Sequence, residues 1–233
     1  MTDIEATKVS KWHSQNFWLL LVLAIVLKQI PFVGIPFNWL ESYFHEISHG
    51  LAAILTGGSI VSIQLFSNGA GLCTTLGGSP FVIAFSGYAG AVLWGVLLYK
   101  IADFKSSLSR YLSFAILALL MVSCVLWVRD ILTFIICLFL IALFALSVKI
   151  SYFNLLASVI KLFALMVLLN SLQSPLYLLD GRGIGDGSAL ANITFIPETV
   201  WILIWLVISG YSLYRLARSD YRARAKIKAK IKT

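Results

Sequence analysis

Apolar residues in this chain come in long runs separated by short polar stretches. The first run begins at Phe17, passes Lys28 and closes at the Pro31 and Pro36 pair, giving a span over residues 17–36. Residues 38–56 read as a second helix, ended by Gly57-Gly58. The period then changes from helical to alternating. Val61, Ile63 and Leu65 alternate with Ser62 and Gln64, Asn68-Gly69 is a turn signal, and residues 70–75 can return as a second strand. Residues 59–76 therefore read as a β-hairpin, closed by Gly77, Gly78 and Pro80. Five more apolar runs follow at about 81–101, 111–128, 131–148, 152–172 and 197–217. Each is near the roughly 20 residues needed to cross a bilayer's hydrocarbon layer. The pattern predicts an all-α polytopic membrane protein. It has six to seven transmembrane helices, six if the first is only partly inserted, and a small membrane-associated β-hairpin after the second helix.

Composition agrees with that picture. Of 233 residues, 60% are hydrophobic and 12% charged, against roughly 25% charged in a soluble domain. So few polar groups cannot cover the apolar surface in water, and the lipid bilayer is the expected surrounding. Lys8, Lys11 and His13 ahead of the first run resemble the start of a signal peptide. No small-x-small cleavage site follows, only Lys28-Gln29-Ile30-Pro31, so the run is expected to be retained as a span.

The chain divides into one membrane domain, residues 1–217, and a basic tail, residues 218–233. The net charge is +8, and Arg215, Arg218, Arg222, Arg224, Lys226, Lys228, Lys230 and Lys232 crowd the end against Asp220 alone. Such a cluster fits a topogenic cytoplasmic tail, with a patch for anionic headgroups as the alternative. No folded nucleic-acid reader accompanies it, so nucleic acid is not an expected partner. Lys100, Lys105, Arg110 and Lys149 can share the tail's side of the membrane in a seven-span arrangement, although Lys8 and Lys11 then fit poorly outside. Cys73, Cys124 and Cys137 are widely spaced and form no Cys-x-x-Cys pair, so each is expected to be apolar filler.

The candidate chemistry lies in His45-Glu46-Ile47-Ser48-His49, which uses two of the chain's three histidines. Positions i and i+4 share a helix face, so both imidazoles can reach one zinc ion. Glu46, beside the metal, can take a proton from a water that zinc acidifies. Imidazole and carboxylate groups are costly at membrane depth without partners or a task. A third ligand is needed, and the polar loop 173–196 offers Asp180, in Leu179-Asp180-Gly181, and Asp186, in Gly185-Asp186-Gly187. Either aspartate can instead cap a helix or form a turn. Glu41, four residues before His45, can orient that ring or lie exposed at the helix start. Lys161, midway along the sixth run, can face the aspartates or snorkel. The hairpin can act as a structural re-entrant element, or its edge at Ile63, with Asn68, Gly69 and Gly71 at the turn, can hold an unwound substrate segment.

These residues resemble the site-2 protease-like intramembrane metallopeptidases, in the compact branch without a PDZ domain. The resemblance is strongest over residues 44–53, Phe-His-Glu-Ile-Ser-His-Gly-Leu-Ala-Ala, and Leu55-Thr56-Gly57-Gly58. It extends to the glycine-rich Asn68-Gly69-Ala70-Gly71-Leu72, to Gly87-Tyr88-Ala89-Gly90, and to Asp186 through Trp201. It implies zinc held by His45 and His49, Glu46 as catalytic base, and a membrane-protein substrate. The family's Asn-Pro…Leu-Asp-Gly segment is matched by Ser174-Pro175 and Leu179-Asp180-Gly181, with serine in place of asparagine. Gly185 and Gly187 likewise depart from a Ser-Asp-Ala pattern around Asp186. Asp180 is narrowly preferred as third ligand, with Asp186 close behind. Two other functions compete with proteolysis: a catalytically silent membrane scaffold or chaperone, and a small proton-coupled transporter using buried His, Asp and Lys groups.

Overall fold

The computed structural model describes residues 16–232, apart from the side chains at positions 16, 31, 180, 224, 226–228 and 230–232. Lys8, Lys11 and His13 lie outside the described residues, as do the side chains of Asp180, Arg224, Lys226, Lys228, Lys230 and Lys232.

Helix α1 (Asn16–Lys28) and helix α2 (Pro31–Leu55) meet at a bend of 106°. Proline lacks an N–H, and the first helical position needs none, so Pro31 opens α2 instead of closing the span before it. Pro36 lies inside α2. The motif helix thus begins at Pro31 and not near residue 38. Glu41 sits well inside it and is buried, not exposed at its start.

After α2 come strands β1 (Ser59–Leu65) and β2 (Gly71–Leu76), paired antiparallel with a bulge between Ile60 and Ser62. The turn forms where Asn68-Gly69 predicts it. Asn68 Oδ1 accepts from Ala70 N at 3.1 Å, and Gly69 takes φ 86°, a left-handed conformation that glycine adopts freely. Gly50 lets the hairpin lie directly on α2, since a Cβ there would stand 2.7 Å from Ile60 Cγ1.

Helices α3 (Pro80–Phe104), α4 (Leu108–Leu126), α5 (Ile131–Val148) and α6 (Phe153–Gln173) follow. A 3-10 segment (Ser174–Asp180) extends α6, then come the short α7 (Asp186–Thr194) and the long α8 (Glu198–Lys232). Among the described residues, five helices are long and apolar enough to cross a membrane, α3, α4, α5, α6 and α8, and the bent α1–α2 pair can count as a sixth. The chain is a multi-pass membrane protein. The described part of α1 has 13 residues, about 20 Å of helix, so among the described residues it counts toward a span only together with α2. No break separates residue 217 from 218, and α8 runs through both.

Helix α6 forms the centre of the bundle, with Ile160, Ala164, Leu165 and Leu168 fully buried. Asp130 caps α5, accepting from Thr133 N at 2.8 Å, so the tight α4–α5 connection expected at Arg129-Asp130 is present. Lys161 does not face the aspartates near the motif. Its Nζ donates to Asp103 Oδ1 at 2.5 Å and lies 5.5 Å from the Tyr99 ring, joining α6 to α3.

Candidate active site

His45 and His49 point from one face of α2 to a single spot, with their Nε2 atoms 3.0 Å apart. Asp186, the first residue of α7, reaches the same spot from the far end of the sequence. Its Oδ2 lies 3.0 Å from His45 Nε2 and 3.3 Å from His49 Nε2. The loop before α7 delivers it through three left-handed glycines, Gly181, Gly183 and Gly185, the last at φ 108°. Ser188 Oγ ties α7 back to that loop by donating to Gly183 O at 2.6 Å.

The lone pairs at this spot converge. His49 Nδ1 lies 2.7 Å from the Ile83 carbonyl oxygen, which can only accept, so Nδ1 carries the proton and donates. That leaves His49 Nε2 as a bare lone pair facing Asp186 and His45. Ligands about 2 Å from a tetrahedral ion lie roughly 3.3 Å from one another, close to the separations here. Gly87 of α3 keeps the spot open, since a Cβ there would stand 2.5 Å from His49 Nε2 and 2.6 Å from His45 Nε2. His45, His49 and Asp186 thus make a donor set of the right type and spacing for a zinc-sized cation. The backbone of Asp180, narrowly preferred in the sequence, ends the 3-10 segment.

Glu46 is buried beside this group, and its carboxylate accepts from the backbone N–H of Cys73 on β2. Gly71 is needed for that approach: a Cβ there would stand 2.6 Å from Glu46 Cγ. Burial and then the Glu46 charge push the Cys73 thiol up to about 12, and Cys73 is not among the side chains that converge with His45, His49 and Asp186.

The two edges of the hairpin differ. Ile63 N donates to Trp127 O at 3.0 Å and Leu65 N to Thr133 Oγ1 at 2.8 Å, so the α4–α5 connection and α5 cover the outer edge of β1. Ile63 is fully buried there and lines neither cavity described below. The expectation of an open edge at Ile63 is corrected accordingly, because β1 is the inner strand. Antiparallel residues opposite one another point their peptide groups the same way, both toward or both away from the partner. Cys73 pairs with Ile63 and Gly71 with Leu65, so both direct their peptide groups outward from β2.

Two cavities meet at His45, Glu46, Gly71 and Tyr88. One, about 610 Å³, runs along β2 between Ile83 and the Asp186 end of α7. The other, about 260 Å³, is lined by Glu41, Asn170, Lys28 and the turn residues Asn68 and Gly69. Tyr88 stands between them, its ring edge-on to His45 at 4.4 Å and tilted on Trp205 at 4.6 Å. Gly87, Ile83 and Tyr88 were assigned no role on sequence grounds. The small residue of Gly87-Tyr88, one helix away from the histidines, was the available signal.

A helical membrane bundle with a buried His-Glu-x-x-His helix, an aspartate closing the triangle and a strand edge beside it matches the arrangement that the sequence resemblance implies. The chain belongs to the Peptidase M50B-like family, the site-2 protease family, whose model matches residues 18–216. Searches of curated proteins and of solved structures returned no match.

Proposed function

We propose that the chain is an intramembrane zinc endopeptidase, with His45, His49 and Asp186 as the zinc ligands and Glu46 as the general base. The observation that carries this reading is the convergence of the His45 and His49 Nε2 atoms with Asp186 Oδ2 at 3.0–3.3 Å around a space kept clear by Gly87. Three electron-rich atoms at such distances repel one another unless a cation or proton lies between them. A bound zinc ion supplies Lewis acidity, acidifying water and polarising a peptide carbonyl.

The chain's own residues do the rest. Ile83 holds His49 in the tautomer that presents Nε2 to the metal. Glu46, oriented by Cys73 N–H, takes the proton as a nucleophilic water attacks and passes it to the departing amine. The outward peptide group of Gly71 and the outward carbonyl of Cys73, whose N–H serves Glu46, offer an edge on which an unwound substrate segment can pair as a strand. Pairing there satisfies the backbone groups that a transmembrane helix exposes on unwinding, which lipid cannot do.

The test compares purified wild type with Glu46→Gln, measuring bound zinc and cleavage of single-span membrane proteins. Both are expected to carry zinc, with cleavage lost by roughly 10²–10⁴-fold in Glu46→Gln. A Glu46→Gln protein as active as wild type sinks the mechanism. Wild type that carries zinc and leaves every substrate intact supports the scaffold instead.

A further inference from the structure

The 260 Å³ cavity ends in two polar side chains whose hydrogen-bonding capacity is unused. Glu41 is 4% exposed; its Oε2 accepts from Ser174 Oγ at 3.0 Å, while Oε1 has no hydrogen-bond partner. Asn170 of α6 is also 4% exposed, and its Nδ2 has no partner. Both line the same cavity, and Ser174 Oγ also lies 2.9 Å from the backbone carbonyl oxygen of Asn170, one turn earlier on α6. Unmet buried polar atoms are costly, and two lining one cavity point to a ligand that meets both. One is an acceptor and the other a donor. Lys28 lines the cavity as well, opposite in charge to Glu41, its Nζ donating to Leu169 O at 3.2 Å. Lys28 and Glu41 oppose each other in charge at this end of the cavity, while Glu46 lies at its junction with the larger one, so a neutral group with one N–H and one C=O fits this end best.

We infer that this cavity is a side-chain pocket for a carboxamide, the end of a glutamine or asparagine, in the segment bound along β2. The inference rests on the peptidase reading and adds to it the substrate feature selected. Strand β2 and helix α2 run side by side in the same direction. Gly71 lies against Glu46, and one turn earlier Gly69 O accepts from Ser42 Oγ. Glu41 precedes His45 by four residues, about 6 Å along the helix axis. An extended chain covers that distance in about two residues. The selected side chain thus lies about two positions from the scissile bond, on the Gly69 side. The opposite side passes Ile83, Ala84 and Ile193 and takes apolar residues.

The test uses full-length protein in detergent and alanine–leucine single-span peptides with a central Gly-Gly. A guest Gln, Leu, Lys or Glu is scanned through the neighbouring positions on both sides. Binding is read by fluorescence anisotropy on Glu46→Gln, and cleavage is read separately on wild type. Gln is expected to bind about tenfold tighter than Leu at one position. Asn170→Asp leaves two acceptors in the pocket and is expected to turn the preference toward Lys. Glu41→Gln leaves Lys28 uncompensated and is expected to turn it toward Glu. Equal affinity for Gln and Leu at every position, or a preference that ignores both substitutions, overturns the pocket. Selective binding of Gln peptides that wild type never cleaves upholds the pocket and removes the peptidase reading. Cleavage indifferent to the guest residue upholds the peptidase and removes the pocket.

Discussion

Gly87 lies so close to His49 that a methyl group on its Cα would stand 2.5 Å from Nε2, in the space between the two imidazoles and Asp186. The neighbouring helix therefore keeps a metal-sized hole open simply by having no side chain there. Gly87→Ala must push the rings apart or fill the hole. Bound zinc is expected to fall by about tenfold or more, the loss seen when the orientation of metal-binding histidines is disturbed. Helix content by circular dichroism should stay unchanged. Gly87→Ala protein carrying a full equivalent of zinc would show that the space has another purpose.

Asp186 and Asp180 separate by substitution. Asp186→Asn removes the carboxylate whose Oδ2 lies within 3.3 Å of both imidazoles, and zinc is expected to be lost on dialysis. Asp180→Asn is expected to keep its zinc. The reverse result, measured by metal analysis on the two purified variants, transfers the third-ligand role to Asp180.

The sequence carried the two histidines, Glu46 and the hairpin plainly, because each is a local pattern: spacing of i and i+4 on a helix, alternation on a strand, Asn-Gly at a turn. It also carried both aspartates, but not the choice between them. That choice depends on where three glycines with positive φ steer a loop, and Asp180 and Asp186 sit in similar Gly-flanked contexts. Which strand edge is open is hidden in the sequence for a related reason. Ile63 and Cys73 are equally strand-like, and only the packing of Trp127 and Thr133 on β1 tells which edge is covered. The same holds for Glu41, whose burial follows from Pro31 opening α2 where proline more often ends a segment.

Lys161 and Asp103 make a stability prediction independent of catalysis. Lys161 is buried and Asp103 is 45% exposed on its side chain, and their 2.5 Å contact joins α6 to α3. Removing one partner of a fully buried pair costs roughly 3–5 kcal/mol. Exposure of Asp103 reduces the expected cost of Asp103→Asn to about 1–2 kcal/mol. Thermal unfolding in detergent should shift down, while zinc content and cleavage per folded molecule stay at wild-type levels. The pair lies away from the His45 group, so an effect of Asp103→Asn on zinc content would reopen the proton-coupled transporter reading, which needs Lys161 linked to that group.

The strand-pairing step makes a prediction about the substrate's own backbone. Gly71 and Cys73 direct peptide groups outward from β2, whereas Leu72, between them, pairs with Gln64 on β1. A segment added to this edge can hydrogen-bond only at every second residue. Replacing single substrate amides by esters removes one N–H donor at a time and weakens the neighbouring acceptor. Replacements at alternate positions are expected to weaken binding to Glu46→Gln by about fivefold, near 1 kcal/mol for one hydrogen bond, and those between them to have little effect. Zinc content is unchanged throughout, because the enzyme itself is not altered. A smooth dependence on position, without a period of two, would mean that substrate enters as a helix and that the β2 edge has no part in holding it.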